Sequence, residues 1–208
     1  MRSGNQRGFS LLEMLAAIAI SLTLAGITVM AFVPVFKTQS TTTAYNEVVT
    51  TMRRARDQAA GDMRTYVVTF TAPGTITVQE SISASGTCQI PPTGNVLVTT
   101  VLPTQVQFTV VAGVPTSNTA APMTPDQFGT AAFAIDFDQG YTPGSANICF
   151  NPDGTATDAL GNINNGVVYL AQPGNLYSSR AVTLWGSTGR IRGWRLYNNA
   201  GVNSWSQQ

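Results

Sequence analysis

From Met14 to Phe36 the chain runs 23 residues without a charge. This run constrains the fold more than any other feature. As a helix rising ~1.5 Å per residue it is long enough to cross a hydrocarbon core of ~30 Å. Ahead of it stand residues 1–8, MRSGNQRG, polar, with Arg2 and Arg7 and no acid. A positive flank before the span predicts that residues 1–8 stay cytoplasmic and that the remainder lies outside. A secretory signal has its small-residue cleavage site after the apolar stretch. Here the natural processing point is before it, at Gly8–Phe9, so cleavage would leave the apolar helix on the mature chain.

Glu13 is out of place at the edge of such a span. A carboxylate there costs a few kcal/mol unless it is paired, and an intramembrane acid is a functional residue by default. Cleavage after Gly8 would create an α-amino group on Phe9, a cation of the right sign, four residues away on the same helix face. The amine of a neighbouring helix would serve equally and would set the axial register between packed subunits.

The run G-F-S-L-L-E at 8–13 resembles the type IV prepilin processing motif. That resemblance implies that prepilin peptidase cuts after Gly8 and methylates Phe9, and that Glu13, fifth in the mature chain, directs assembly. It also implies a protein inserted in the inner membrane by a single pass, with a periplasmic head, that later enters an extracytoplasmic pilus or pseudopilus. Its partners would be other pilin or pseudopilin subunits.

Beyond Lys37 an apolar stripe recurs every three or four residues through Ala44, Val48, Met52, Ala55, Ala59 and Met63, with Arg53, Arg54, Arg56 and Asp57 off it. This predicts an amphipathic helix laid on a sheet, ending near Gly61 and Asp62. The arginine cluster reads as a solvated face or a contact within a filament, with a DNA or lipid patch as the other reading. From Arg64 onward, strands are expected at 64–71, 75–80, 95–102, 105–112, 131–137, 146–150, 166–172, 180–185 and 189–197, and a long loop at 113–130. One long helix followed by many short strands is an α+β arrangement. The expected fold is a long N-terminal helix, membrane-spanning in its first half and amphipathic in its second, packed on a β-rich head of two small antiparallel sheets. The expected divisions are a leader at 1–8, the assembly helix at 9–36, the amphipathic helix at 37–62 and the head at 63–208.

Charged residues make up only 10% of the chain, the net charge is +1, and there is no histidine. The commonest general base and metal ligand is therefore missing. With no P-loop, nucleophile elbow or zinc spacing either, the sequence predicts no enzyme, no cofactor and no metal. Asp136 and Asp138 would share a strand face and could hold a cation, but strand-end and turn carboxylates are the preferred reading. Cys88 and Cys149 stand 61 positions apart, a spacing that fits no zinc or redox motif. In an oxidising compartment they would pair, and closing such a loop adds about 4 kcal/mol in the chain-entropy picture. Buried free thiols are the alternative.

The segment ICFNPDGTA at 148–156 reads as strand, turn, strand. The order strand–PDG–strand, two further strands and a terminal G-R-x-R, here Gly189-Arg190-Ile191-Arg192, resembles the GspH/FimT family of minor pseudopilins and minor pilins. After Asp158 there is no acid, yet Arg180, Arg190, Arg192 and Arg195 follow. In a strand Arg190, Arg192 and Trp194 project to one face, where guanidinium groups can pair with phosphate and an indole can stack. The resemblance implies that these residues contribute to non-sequence-specific binding of double-stranded DNA in competence. It equally allows a purely structural tip or initiator subunit of type II secretion in which the arginines meet another subunit.

Overall fold

The computed structural model describes residues 10–82, 95–137 and 144–208, and for residues 29–38 the backbone alone. Contacts divide the chain into two units, Met1–Gln39 and Ser40–Gln208. One helix, α1 (Leu11–Asp62), begins in the first unit and ends in the second. In the first unit, Leu11–Thr28 is long and apolar enough to cross a membrane, and its described side chains are exposed. The hydroxyls inside this stretch are satisfied along the helix: Ser21 donates to the Ala17 carbonyl at 2.8 Å and Thr23 to Ile20 at 2.8 Å. Thr28 does the same to Leu24. Such back-bonding lets a polar side chain sit in an apolar environment without an unmet group.

In the second unit α1 buries Ala44, Val48, Met52, Ala55 and Ala59 completely, the stripe expected from the sequence. Met63 departs from it. It lies past the end of the helix, takes φ +55° and is 75% exposed. The stripe ends where the helix ends, because a reversed φ rotates the next side chain off the buried face.

The strands form two five-stranded sheets. The first contains β1 (Tyr66–Thr71), β2 (Thr75–Glu80), β3 (Val96–Val101), β5 (Asn147–Phe150) and β6 (Ala156–Thr157) in the order β3-β2-β1-β5-β6. The second contains β4 (Ile135–Phe137), β7 (Gly166–Leu170), β8 (Arg180–Trp185), β9 (Arg190–Asn199) and β10 (Val202–Gln207) in the order β10-β9-β8-β7-β4. All named pairings are antiparallel. The α+β class, with one helix on two small antiparallel sheets, is therefore the architecture of the head. A single core joins Ala44, Val48 and Met52 of α1 to Val68, Phe70 and Ile148 of the first sheet and to Val168, Leu170 and Leu184 of the second. The far face of the second sheet is covered too. Val114 and Phe128 of the long loop, with Ala131 just after it, pack on Val167, Tyr169, Ala181 and Leu196.

Three expected strands are corrected. Residues 105–112 form no ladder. Their chain crosses between the sheets, Phe108 donating to the Pro73 carbonyl on one side and Gln107 exchanging bonds with Ala171 on the other. Val106 and Phe108 are buried all the same, which is why the run alternates like a strand. Of 131–137 only Ile135–Phe137 pairs, since Ala131 takes φ +54° and turns the chain. The last strand continues to Asn199 and returns as β10.

Gly186 sits where β6 meets the end of β8. Its carbonyl accepts from the Ala156 amide at 2.7 Å and its amide donates to Asn165 Oδ1 at 2.8 Å. A Cβ there would lie 2.2 Å from the Asn164 carbonyl oxygen and 2.6 Å from its carbon, both backbone atoms. Gly186→Ala is therefore expected to cost about 2–3 kcal/mol, because the obstacle has no rotamer to escape into. The melting temperature should fall by about 5–10 °C. Gly61→Ala, helical and with nothing within 4 Å of the added carbon, is the control and should stabilise by up to about 1 kcal/mol.

Candidate functional site: the β8–β9 end and the arginines around it

Sequence reasoning gathered Arg180, Arg190, Arg192, Trp194 and Arg195 into one basic element. The structure places Arg190, Arg192 and Trp194 on one face of β9, as the alternation predicts, with Ile191 and Gly193 buried on the other. It does not bring all the arginines together. Arg180 and Arg195 are register partners across β8 and β9. Arg180 is only 3% exposed, and its guanidinium donates to the Ser178 and Ser179 carbonyls at 3.4 and 3.3 Å. Burial, then the like charge of Arg195, pushes the Arg180 guanidinium down to about 10. Arg195 lies over the Tyr197 ring at 4.9 Å. Neither is placed as a free surface cation, and both belong to the packing of the sheet.

Arg192 is half-buried and anchored. Its Nη1 donates to Asp126 Oδ1 at 2.7 Å, and its guanidinium carbon lies 5.5 Å from the centroid of Trp185. The Thr183 hydroxyl donates to the other oxygen of Asp126, and the Trp194 indole N–H donates to Thr183 Oγ1 at 3.0 Å. Asp126 is the residue that sequence reasoning missed. It belongs to the 113–130 loop, where it sits in a short 3-10 turn, Pro125–Gln127, with φ +51° and a side chain 5% exposed. A left-handed backbone at a non-glycine residue persists only where its surroundings over-determine it, and this carboxylate has three side chains organised around it. The available signal was the lone acid in a loop otherwise without charge.

The glycines flanking the arginines act by allowing close approach. Gly193 lies under Tyr45 of α1, with the phenol oxygen 1.6 Å from where a Cβ would be. The strand shows no bulge there, its register with β8 running unbroken from Arg180↔Arg195 to Trp185↔Arg190. Gly189, at φ +59°, abuts the PDG turn: an added Cβ would meet the Gly154 carbonyl oxygen at 2.2 Å and Arg56 Nε at 2.8 Å. That turn forms as the sequence predicts. The Gly154 amide bonds the Asn151 carbonyl at 2.9 Å, and Asp153 accepts from the Thr155 hydroxyl and amide at 2.7 and 2.9 Å. These bonds, the hydroxyl first, hold the Asp153 carboxyl below the usual carboxylate range.

A cleft of about 750 Å³ opens at this end of the head. It is lined by Arg53, Arg56 and Asp57 of α1 and by the chain from Trp185 through Ser187–Arg192. The structure thus joins the helix arginines to the terminal-strand arginines, which sequence reasoning had kept apart.

The other site residues fall elsewhere. Glu13 is exposed in the first turn of α1, its amide bonded to the Ser10 carbonyl at 3.0 Å. Gly8 and Phe9 lie outside the described residues, as do Cys88 and Asp138. Cys149 is fully buried on β5 beside its neighbour Val67. Asp136 is buried and accepts from the Gly144 amide at 2.9 Å.

Comparison with known proteins places a class on the N-terminus. Residues 3–29 match the family described as a prokaryotic N-terminal methylation motif. The matched segment contains Gly8, Phe9 and Glu13. Among solved structures, the chain is similar to the type IV minor pilin FimU of Pseudomonas aeruginosa, at 15% identity and a TM-score of 0.40, over 72% of this chain and 84% of that one. No curated protein matches the chain.

Proposed function

We propose that the chain is a minor subunit of a type IV pilus or of a related secretion pseudopilus. It is processed by prepilin peptidase between Gly8 and Phe9, held in the inner membrane by the apolar part of α1, and assembled through Glu13. The observation that carries this reading is the methylation motif at 3–29 continuous with a helix apolar enough to span and bearing one acid in its first turn. A structural subunit needs no catalytic constellation, and an α+β head is suited to contacts with other subunits. Cys88 and Cys149 are proposed to be joined in the exported head.

The test is the mature N-terminus. Co-expression with a prepilin peptidase, followed by mass spectrometry of the membrane fraction, should return a chain beginning at Phe9 with one added methyl. Gly8→Ala should retain residues 1–8. A mature chain beginning beyond the apolar stretch would overturn the reading, since it would show an ordinary secretory signal.

A second reading concerns the head. Arg190 is exposed and lines the basic cleft, which favours binding of double-stranded DNA without sequence specificity over a purely structural terminal strand. Such binding would weaken steeply with salt, because its energy comes from released counterions.

A further inference from the structure

We propose that the cleft between the end of α1 and the β8–β9 hairpin is a phosphodiester-binding site in which Arg53 and Arg56 of the helix act together with Arg190. This rests on the second reading above and extends it from the terminal strand to the helix.

Four guanidinium groups line one cleft and a single carboxylate, Asp57, lines it with them. Arg192 is already engaged by Asp126. Among the described residues Arg53, Arg56 and Arg190 have no carboxylate within 4 Å. Three arginines set against the one carboxylate of Asp57 leave a net positive charge, and an anion placed among them relieves their repulsion. Elsewhere in the head Arg64 is paired with Glu80.

The placement of Arg56 is built rather than incidental. It is half-buried, lying against the bare backbone of Gly154 and Gly189 in a slot that a Cβ at position 189 would fill. Holding the side chain there before the ligand arrives reduces the entropy lost on binding. Arg53 and Arg190 are exposed at the mouth, and guanidinium forks match the oxygens of a phosphate bidentately. Trp185, which carries Arg192 on its ring, forms part of the wall. A flat aromatic beside a row of cations is the combination that tracks a nucleic-acid backbone. The volume, about 750 Å³, suits a backbone segment and not a whole duplex, so the site grips an edge of the strand and carries no groove-reading element.

The experiment is fluorescence anisotropy of a labelled random-sequence DNA duplex titrated with the full chain in a neutral detergent, at several salt concentrations. Arg53→Gln, Arg56→Gln and Arg190→Gln should each weaken binding by about three- to tenfold and reduce the log–log salt slope by about 0.9. Arg54→Gln, on the same helix but outside the cleft lining, should leave both unchanged. Because Arg56 lies against the PDG turn, Arg53→Glu provides a charge reversal at an exposed position and should weaken binding further than Arg53→Gln. If Arg190→Gln with Arg192→Gln abolishes binding while the Arg53 variants bind like wild type, this inference is overturned and the terminal-strand reading stands. If Arg54→Gln weakens binding as much as Arg53→Gln, attraction is diffuse and the cleft is not the site. If wild type fails to bind duplex at low salt, the terminal-strand reading falls along with it. The same titration against phosphatidylglycerol vesicles separates the sources of phosphate. Arginine-dependent binding to vesicles without binding to duplex would overturn the nucleic-acid assignment.

Discussion

Replacing Glu13 with leucine is expected to leave the chain in the membrane and to remove it from filaments. The two effects separate because they have different causes. Glu13 lies in the first turn of an apolar helix, where a carboxylate opposes insertion by a few kcal/mol. Leucine removes that cost, so membrane content should hold or rise. On the assembly role proposed for Glu13, what is lost is the partner of an α-amino group on a neighbouring subunit. An unpaired charge left in an apolar interface costs about 3–5 kcal/mol, which corresponds to roughly a hundredfold or greater loss of incorporation. The measurement is the ratio of the chain in sheared filaments to that in the membrane fraction. Glu13→Gln should behave like the leucine variant in filaments, because the amide keeps the shape and loses the charge. Glu13→Asp, shorter but charged, should fall between. Leucine and wild-type chains sheared in equal amounts would show that Glu13 serves only its own helix, for instance as a favourable charge at the helix N-terminus, worth about 0.3–1 kcal/mol.

The residues that were legible from sequence are those whose role is local. Ala44, Val48, Met52, Ala55 and Ala59 repeat at helical spacing and are buried. The PDG turn is fixed by three consecutive residue types, and it forms. The alternation of β9 correctly put Arg190 and Arg192 on one face and Ile191 on the other. What was illegible depends on where distant chain arrives. β10, VNSWSQ, is too polar to announce itself. It exists because Ala200 and Gly201, at φ +50° and +88°, turn the chain back onto β9. An asparagine–glycine pair would have signalled such a hairpin, whereas alanine at positive φ does not. Residues 105–112 show the reverse case, an alternating run that buries Val106 and Phe108 in the main core without joining a ladder. The arginine set was misjudged for the same reason. Net charge along the last fifty residues counts Arg180, Arg192 and Arg195 as equals of Arg190, but one is buried, one is neutralised by a loop, and one is stacked on a tyrosine.

Asp126 decides how much of that charge the cleft presents, and its removal should move stability and binding in opposite directions. Its carboxylate holds Arg192 and receives the Thr183 hydroxyl, which in turn accepts the Trp194 N–H. Breaking a buried ion pair from one side costs about 3–5 kcal/mol. Arg192 retains 24% exposure and can rehydrate in part, so about 2–3 kcal/mol is expected for Asp126→Ala, or a fall of about 5–10 °C in melting temperature. Asp126→Asn should cost less, since asparagine tolerates the left-handed backbone and still accepts a hydrogen bond. It nevertheless frees the charge of Arg192. In the duplex titration the asparagine variant should therefore bind about threefold more tightly than wild type and show a salt slope steeper by about 0.9, as one more cation becomes available to phosphate. Weaker binding by a folded asparagine variant would mean that the carboxylate positions Arg192 for the ligand instead of competing with it.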